Sequence, residues 1–202
     1  MKDLPTDAAI GIFDSGLGGL TVASAIADAL PEEHLIYLGD TARVPYGTRS
    51  PSTVIRYACR NIAFLKRQGV KIVVVACNTV SAQGLDGLTA DGGLACIGVI
   101  KPGAQAAIEA STGAGIAVLG TPATIRSNAY ETAIKHVDPT RLVVQLSCPL
   151  FVPLVEEGWL THSVTYAVAR EYLSPLCGRD IDTIILGCTH YPIMESVIQS
   201  VI

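Results

Sequence analysis

The sequence predicts an α/β protein of two similar lobes, each a mostly parallel sheet flanked by helices. Short β-branched runs alternate with longer helical patterns along the chain, as expected for parallel strands joined by right-handed crossovers. Half of the residues are hydrophobic and only 5% are aromatic, a composition suited to buried parallel strands covered by helices. One strand-end feature also occurs twice, in Val73-Val74-Val75-Ala76-Cys77-Asn78-Thr79 and in Ile184-Ile185-Leu186-Gly187-Cys188-Thr189-His190.

Taken in order, strands are predicted near 8–14, 34–39, 71–76, 94–99, 115–120, 141–146 and 181–187, where apolar β-branched residues cluster. Helices are predicted near 18–30, 51–68, 79–89, 103–111, 123–136, 150–157 and 162–176. Lys101-Pro102-Gly103 follows the strand that ends near Ile100, and its Pro-Gly pair marks a hinge or a helix start. Dividing the chain there gives lobes of residues 1–100 and 101–202, and exposes a repeat. In the first lobe a strand ends at Asp14-Ser15-Gly16 and Cys77 follows 63 positions after Asp14; in the second a strand ends at Thr121-Pro122 and Cys188 follows 67 positions after Thr121.

Composition narrows the function. The net charge of −4 over 202 residues provides no basic footprint for nucleic acid. Every apolar run ends within about eight residues, far short of the roughly 20 that a membrane helix requires. The start, Met1-Lys2-Asp3-Leu4-Pro5-Thr6-Asp7, has two acids and a proline where a secretory signal would carry basic and long apolar segments. Six cysteines without a C-x-x-C motif do not form a disulfide scaffold. The expectation is a soluble cytoplasmic protein whose Cys77 and Cys188 stay reduced.

Each of these thiols is expected at the carboxyl end of a strand, beside a helix N-terminus. Ligands of open α/β sheets bind at that end, and free helix N–H groups favour a thiolate. Two lobes of this kind would form a pseudo-symmetric cleft with thiols on opposite sides of a small ligand. Such a pair suits inversion of a carbon next to a carboxylate, where one face loses a proton while the other gains one. A free cysteine has a pKa of about 8.5, so a modest shift from donors would give a useful thiolate population. Donors for the substrate carboxylate are available in Ser15, Asn78, Thr79, Thr121, Thr124 and Thr189, and in the backbone of Gly16, Gly47 and the helix starts.

Other readings of the same residues exist. A lone strand-end cysteine is more often a small core residue than a catalyst. Zinc needs about three protein ligands, which Cys188, His190 and Cys77 could only just supply. Cys188 and His190 could form an acyl-transfer pair, although a spacing of two is awkward if the turn enters a helix. Gly16-Leu17-Gly18-Gly19 lacks the full dinucleotide pattern, and its simplest role is close approach of backbone to a small anion. Cys59, Cys96, Cys148, Cys177, His34, His136 and His162 lack a motif and read as structural or surface residues.

From Ile10 onward the chain strongly resembles the glutamate racemase family. The resemblance rests on Phe13-Asp14-Ser15-Gly16-Leu17-Gly18-Gly19, on the segment from Tyr37 to Gly47, on Ala76-Cys77-Asn78-Thr79, and on Gly120-Thr121-Pro122-Ala123-Thr124. It continues in the segment from Cys148 to Gly158 and in Gly187-Cys188-Thr189-His190-Tyr191-Pro192. It implies a cofactor-independent, metal-free isomerase that interconverts L- and D-glutamate and supplies D-glutamate for peptidoglycan. By that resemblance Cys77 takes the proton from D-glutamate and Cys188 from L-glutamate. Asp14 assists Cys77, His190 assists Cys188, Glu156 supports His190, and Asp40 lies near the site. Asp14, Ser15, Tyr46, Gly47, Asn78, Thr79, Thr121, Thr189 and His190 contact substrate.

The resemblance further implies a homodimer with a small-molecule substrate and no nucleic-acid or membrane partner. Family members continue for several dozen residues past the position of Ile202, returning to the first lobe. The resemblance therefore implies that this return segment is absent here and that the first sheet has an open edge or apolar face. The close alternatives are aspartate racemase and an inactive amino-acid-binding relative. Aspartate racemases typically resemble Cys-Thr-Glu at the second thiol, whereas this chain has Cys188-Thr189-His190.

Overall fold

The structure is a computed structural model that describes residues 7–84 and 94–202. It divides into two compact units, Met1–Val99 and Ile100–Ile202. In the first, strands β1 (Ile10–Asp14), β2 (Leu35–Gly39), β3 (Ile72–Val75) and β4 (Ala95–Gly98) form a parallel sheet in the order β2-β1-β3-β4. Its helices are α1 (Leu20–Ala29), α2 (Pro51–Arg67) and the short α3 (Asn78–Ser81). Alternation along β1 sends Ile10 and Ile12 toward Val22, Ala23 and Ile26 of α1, while Phe13 joins the cluster built on α2.

The start of α2 follows from its local sequence. The Ser50 side chain accepts the Thr53 N–H, and Pro51 occupies the first turn, where its missing N–H costs nothing. Lys66 and Arg67 lie in the last turn, where cations suit the helix dipole. Val54, Ala58, Asn61, Ile62 and Leu65 form its buried stripe at helical spacing. Each fully buried aliphatic side chain there, Val54 and Leu65 among them, contributes about 1.5–3 kcal/mol.

The second unit has strands β5 (Gly115–Gly120), β6 (Val143–Ser147) and β7 (Ile181–Gly187), parallel in the order β6-β5-β7. Its helices are α4 (Ile100–Ala110), α5 (Pro122–Arg126), α6 (Ala129–Val137), α7 (Phe151–Glu156), α8 (Ser163–Leu173) and α9 (Glu195–Val201), with 3-10 turns at Ser174–Leu176 and Tyr191–Met194. The central β5 is buried along its whole length, and Leu119, Phe151, Leu173, Tyr191 and Met194 belong to the unit's buried core.

All seven predicted strands are present. Lys101-Pro102-Gly103 lies inside the first turn of α4 and begins a helix. The predicted helix 123–136 is two helices, because Asn128 between them takes a left-handed φ of 54° that no helix can continue. Helix 162–176 ends at Leu173 in a 3-10 turn containing Pro175. Of the predicted helix 79–89, residues 79–81 are helical, and 85–89 lie outside the described residues. Among the described residues no helix is long and apolar enough to cross a membrane.

Parallel pairing brings the carboxyl ends of the strands within each unit to one edge. In the first unit that edge carries Ser15, Asp40 and Cys77; in the second it carries Thr121, Cys148 and Cys188.

Candidate active site

In the first unit, Asp14 ends β1 and is fully buried. Its Oδ2 accepts the N–H groups of Gly16, at 3.0 Å, and Gly19, at 3.1 Å. These are the amides that an external anion at the start of α1 would use, so the glycine-rich turn wraps the protein's own carboxylate. Gly19 is required by space, since its φ of −64° is open to any residue, whereas a Cβ there would lie 2.3 Å from the Asp14 Cβ.

Cys77 is the N-cap residue of α3 and only 3% exposed. Its thiol is directed to the Ser15 Oγ at 3.5 Å. Burial pushes that thiol up from 9.0 to about 12, and the Asp14 charge adds to the rise; the Ser15 hydroxyl and the backbone N–H groups of Val80 and Ser15 pull in the opposite direction. Desolvation therefore outweighs the donors of a four-residue helix. The sequence-based expectation of a modest shift toward thiolate is not met. Asn78 and Thr79 follow directly and are also buried.

Tyr46 and Gly47 are buried in the loop after β2. The Tyr46 hydroxyl donates to Asp40 Oδ2, and the Asn61 amide reaches both, at 3.3 Å from Asp40 and 3.2 Å from the Tyr46 oxygen. Arg43 closes the ring of partners with a 2.8 Å ion pair to Asp40. Burial, then the Asp40 carboxylate, pushes the Tyr46 phenol far above its ordinary value, so it remains a donor. Asn61 escaped the sequence reading. Its signal is a polar side chain within the apolar stripe of α2.

In the second unit, Cys188, Thr189 and His190 form the turn after β7 and all three are buried. The chain enters a 3-10 turn rather than an α-helix, and this brings the Cys188 Sγ and His190 Nδ1 to 3.9 Å despite their spacing of two. His190 Nε2 lies 2.5 Å from Glu156 Oε1, at the end of α7. With Nε2–H donated to the carboxylate, Nδ1 presents its lone pair to the thiol. Tyr191, fully buried, donates to the Cys148 carbonyl at 2.9 Å and stacks edge-on against Phe151, tying this turn to the start of α7. Thr121 caps α5, its Oγ1 accepting the Thr124 N–H at 3.3 Å and lying 3.0 Å from the Thr124 hydroxyl.

Asp14, Ser15, Cys77, Asn78 and Thr79 are thus brought together in the first unit. In the second, Cys188, Thr189, His190 and Glu156 come together at the end of β7, and Thr121 follows the end of the neighbouring β5. Among the described residues no group of three or more His, Cys, Asp or Glu side chains is placed to hold a metal ion. Of the histidines read as structural, His162 caps α8 through its Nδ1.

Residues 18–202 match the family described as Asp/Glu/Hydantoin racemase. A glutamate racemase from Chlorobaculum tepidum is 51% identical over 197 residues, covering 97% of this chain and 72% of the relative. The crystal structure of a Bacillus anthracis glutamate racemase superposes with a TM-score of 0.91 at 43% identity, over 96% of this chain and 73% of that one. A Francisella tularensis glutamate racemase in complex with D-glutamate gives 0.90 at 40% identity, over 97% and 74%. Both thiol turns lie within residues 18–202, and the chain belongs to the glutamate racemases, amino-acid isomerases of the Asp/Glu/Hydantoin racemase family.

Proposed function

We propose that this protein interconverts L- and D-glutamate by two-base proton transfer at Cα, needing no cofactor or metal. Cys77, which must first give up its own proton to act as thiolate, removes the proton from D-glutamate while Cys188, as thiol, delivers one to the opposite face; the roles exchange for L-glutamate. Each thiol carries one proton, so the abstracted hydrogen stays on its sulfur and the other sulfur supplies the new one. The reading is supported above all by the doubled cysteine turn, one in each unit, each with its own hydrogen-bonding partner.

Asp14 and Ser15 set the environment of Cys77, and His190 exchanges a proton with Cys188 while Glu156 holds the imidazole in place. Ser15, Tyr46, Gly47, Asn78, Thr79, Thr121, Thr189 and His190 contact the amino acid. Donors aimed at its carboxylate lower the barrier, because carbanion charge spreads there in the transition state. The product supplies peptidoglycan synthesis, and the enzyme works as a cytoplasmic homodimer, both on family resemblance.

The test is a chiral assay of purified protein with L-glutamate in deuterated water, with no pyridoxal phosphate or metal added. Deuterium should enter the D-glutamate formed, with little washed into the remaining L-glutamate during early turnover. Inversion with retention of the original hydrogen, or turnover of aspartate in preference to glutamate, would overturn the proposal.

A further inference from the structure

Tyr37 lies on β2, opposite Ile12 of β1, and its side chain crosses to the Asp14–Gly19 turn. Its hydroxyl donates to the Gly16 carbonyl at 2.7 Å. Two glycines fit the turn around that bond. A Cβ at Gly19 would meet the Tyr37 oxygen at 2.9 Å, and one at Gly39 would meet the Gly16 oxygen at 2.4 Å. Ser15, whose hydroxyl and amide face the Cys77 sulfur, stands between two fixed points. On one side Asp14 is held in the sheet, its carbonyl accepting the Asp40 N–H at 3.0 Å. On the other, Gly16 is held by Tyr37.

We infer that Tyr37 is a positioning residue of the racemase reaction: its hydroxyl fixes the Gly16 peptide and, through it, keeps the Ser15 donors against the Cys77 sulfur. The inference rests on the reading of Cys77 as the base that acts on D-glutamate. Tyr37 itself does not touch the reacting atoms. Burial, followed by the charges of Asp14 and Cys77, pushes its phenol well above the ordinary range, so the donor stays protonated throughout the working pH range.

Loss of the hydroxyl should raise the proton-transfer barrier on the Cys77 side only. Glutamate enantiomers have equal free energies, so kcat/KM must fall equally in both directions and cannot by itself locate the lesion. Primary deuterium isotope effects can. In Tyr37→Phe, kcat/KM should drop about two- to tenfold, the loss expected for one hydrogen bond. The isotope effect on kcat/KM with Cα-deuterated D-glutamate should rise, because abstraction by Cys77 limits the rate more fully. With Cα-deuterated L-glutamate it should decline toward the equilibrium isotope effect of carbon-to-sulfur transfer.

The Phe ring keeps the packing of the half-buried side chain, and an unchanged melting transition verifies the fold. A drop in kcat/KM with both isotope effects at wild-type values would mark a purely structural role and overturn the inference, as would unaltered kinetics. Should the Phe variant not fold, 3-fluorotyrosine at position 37 alters donor strength on the same ring and must move the two isotope effects in opposite senses; fixed values would overturn the inference. Cys77→Ala serves as the control for the underlying reading. Racemisation that survives in Cys77→Ala refutes the two-thiol mechanism, whereas its loss there alongside isotope effects at wild-type values in Tyr37→Phe refutes the role of Tyr37 alone.

Discussion

Cys77 and Cys148 are both buried thiols raised from 9.0 to about 12, principally by desolvation. Their protons link stability to pH. In the unfolded chain both ionise near 9.0, while in the folded protein they hold their protons until about 12. Below 9.0 neither state loses a proton and the full contribution is present. Between those values the unfolded chain binds fewer protons, so stability should fall steadily as pH rises through the window. Denaturant unfolding at stepped pH should show this decline, with a shallower slope in Cys148→Ala whatever its offset at neutral pH. An identical slope in that variant would contradict the burial assigned to Cys148. On the other thiol, Glu156 orients His190 across 2.5 Å, but about a third of its side chain is exposed, which screens the pair. Glu156→Gln keeps the shape and removes the charge, and kcat/KM should fall about tenfold, near the lower end for a hydrogen bond to a charged group. Steady-state racemisation measures it.

The first βα turn shows how closely an element can be specified. A methyl group at Gly19 would lie 2.3 Å from the Asp14 Cβ and 2.8 Å from its Cγ, and Asp14 sits in the sheet and cannot yield. Gly19→Ala should therefore cost about 1–3 kcal/mol of stability and most of the activity. A thermal melt and a racemisation assay check both, and a neutral result would mean the turn is looser than the contacts indicate. The strands were legible because β-branched runs such as Val73–Val75 and Ile184–Ile185 fit little else. The break at Asn128 was not, since the apolar period of the flanking segments continues across it and only the left-handed backbone reveals the stop. Asn61 was hidden for a different reason: its partners Asp40 and Tyr46 lie 21 and 15 positions away, and only the placement of α2 brings them together. The direction of the Cys77 shift was missed because motif and spacing report the donors of a helix start, while desolvation depends on everything packed around the sulfur.

The chain repeats one design, and the repetition has a stereochemical consequence. The cysteine turns occupy equivalent places in their own sheets, but the groups around them differ: Ser15 and the Asp14 carboxylate at Cys77, an imidazole backed by a carboxylate at Cys188. If each sulfur serves one face of Cα, removing either one leaves a site that can still abstract and return a proton on the remaining face. Net inversion must then vanish while exchange with solvent persists for one enantiomer. In deuterated water, Cys77→Ala should wash deuterium into L-glutamate only, and Cys188→Ala into D-glutamate only, each more slowly than wild-type turnover because the thiol must exchange its proton before returning it. Following the Cα proton signal by NMR with each pure enantiomer reads all four combinations. Washout of the same enantiomer in both variants would mean that the two sulfurs do not divide the faces between them, and continued racemisation in either would mean that a different base does the work.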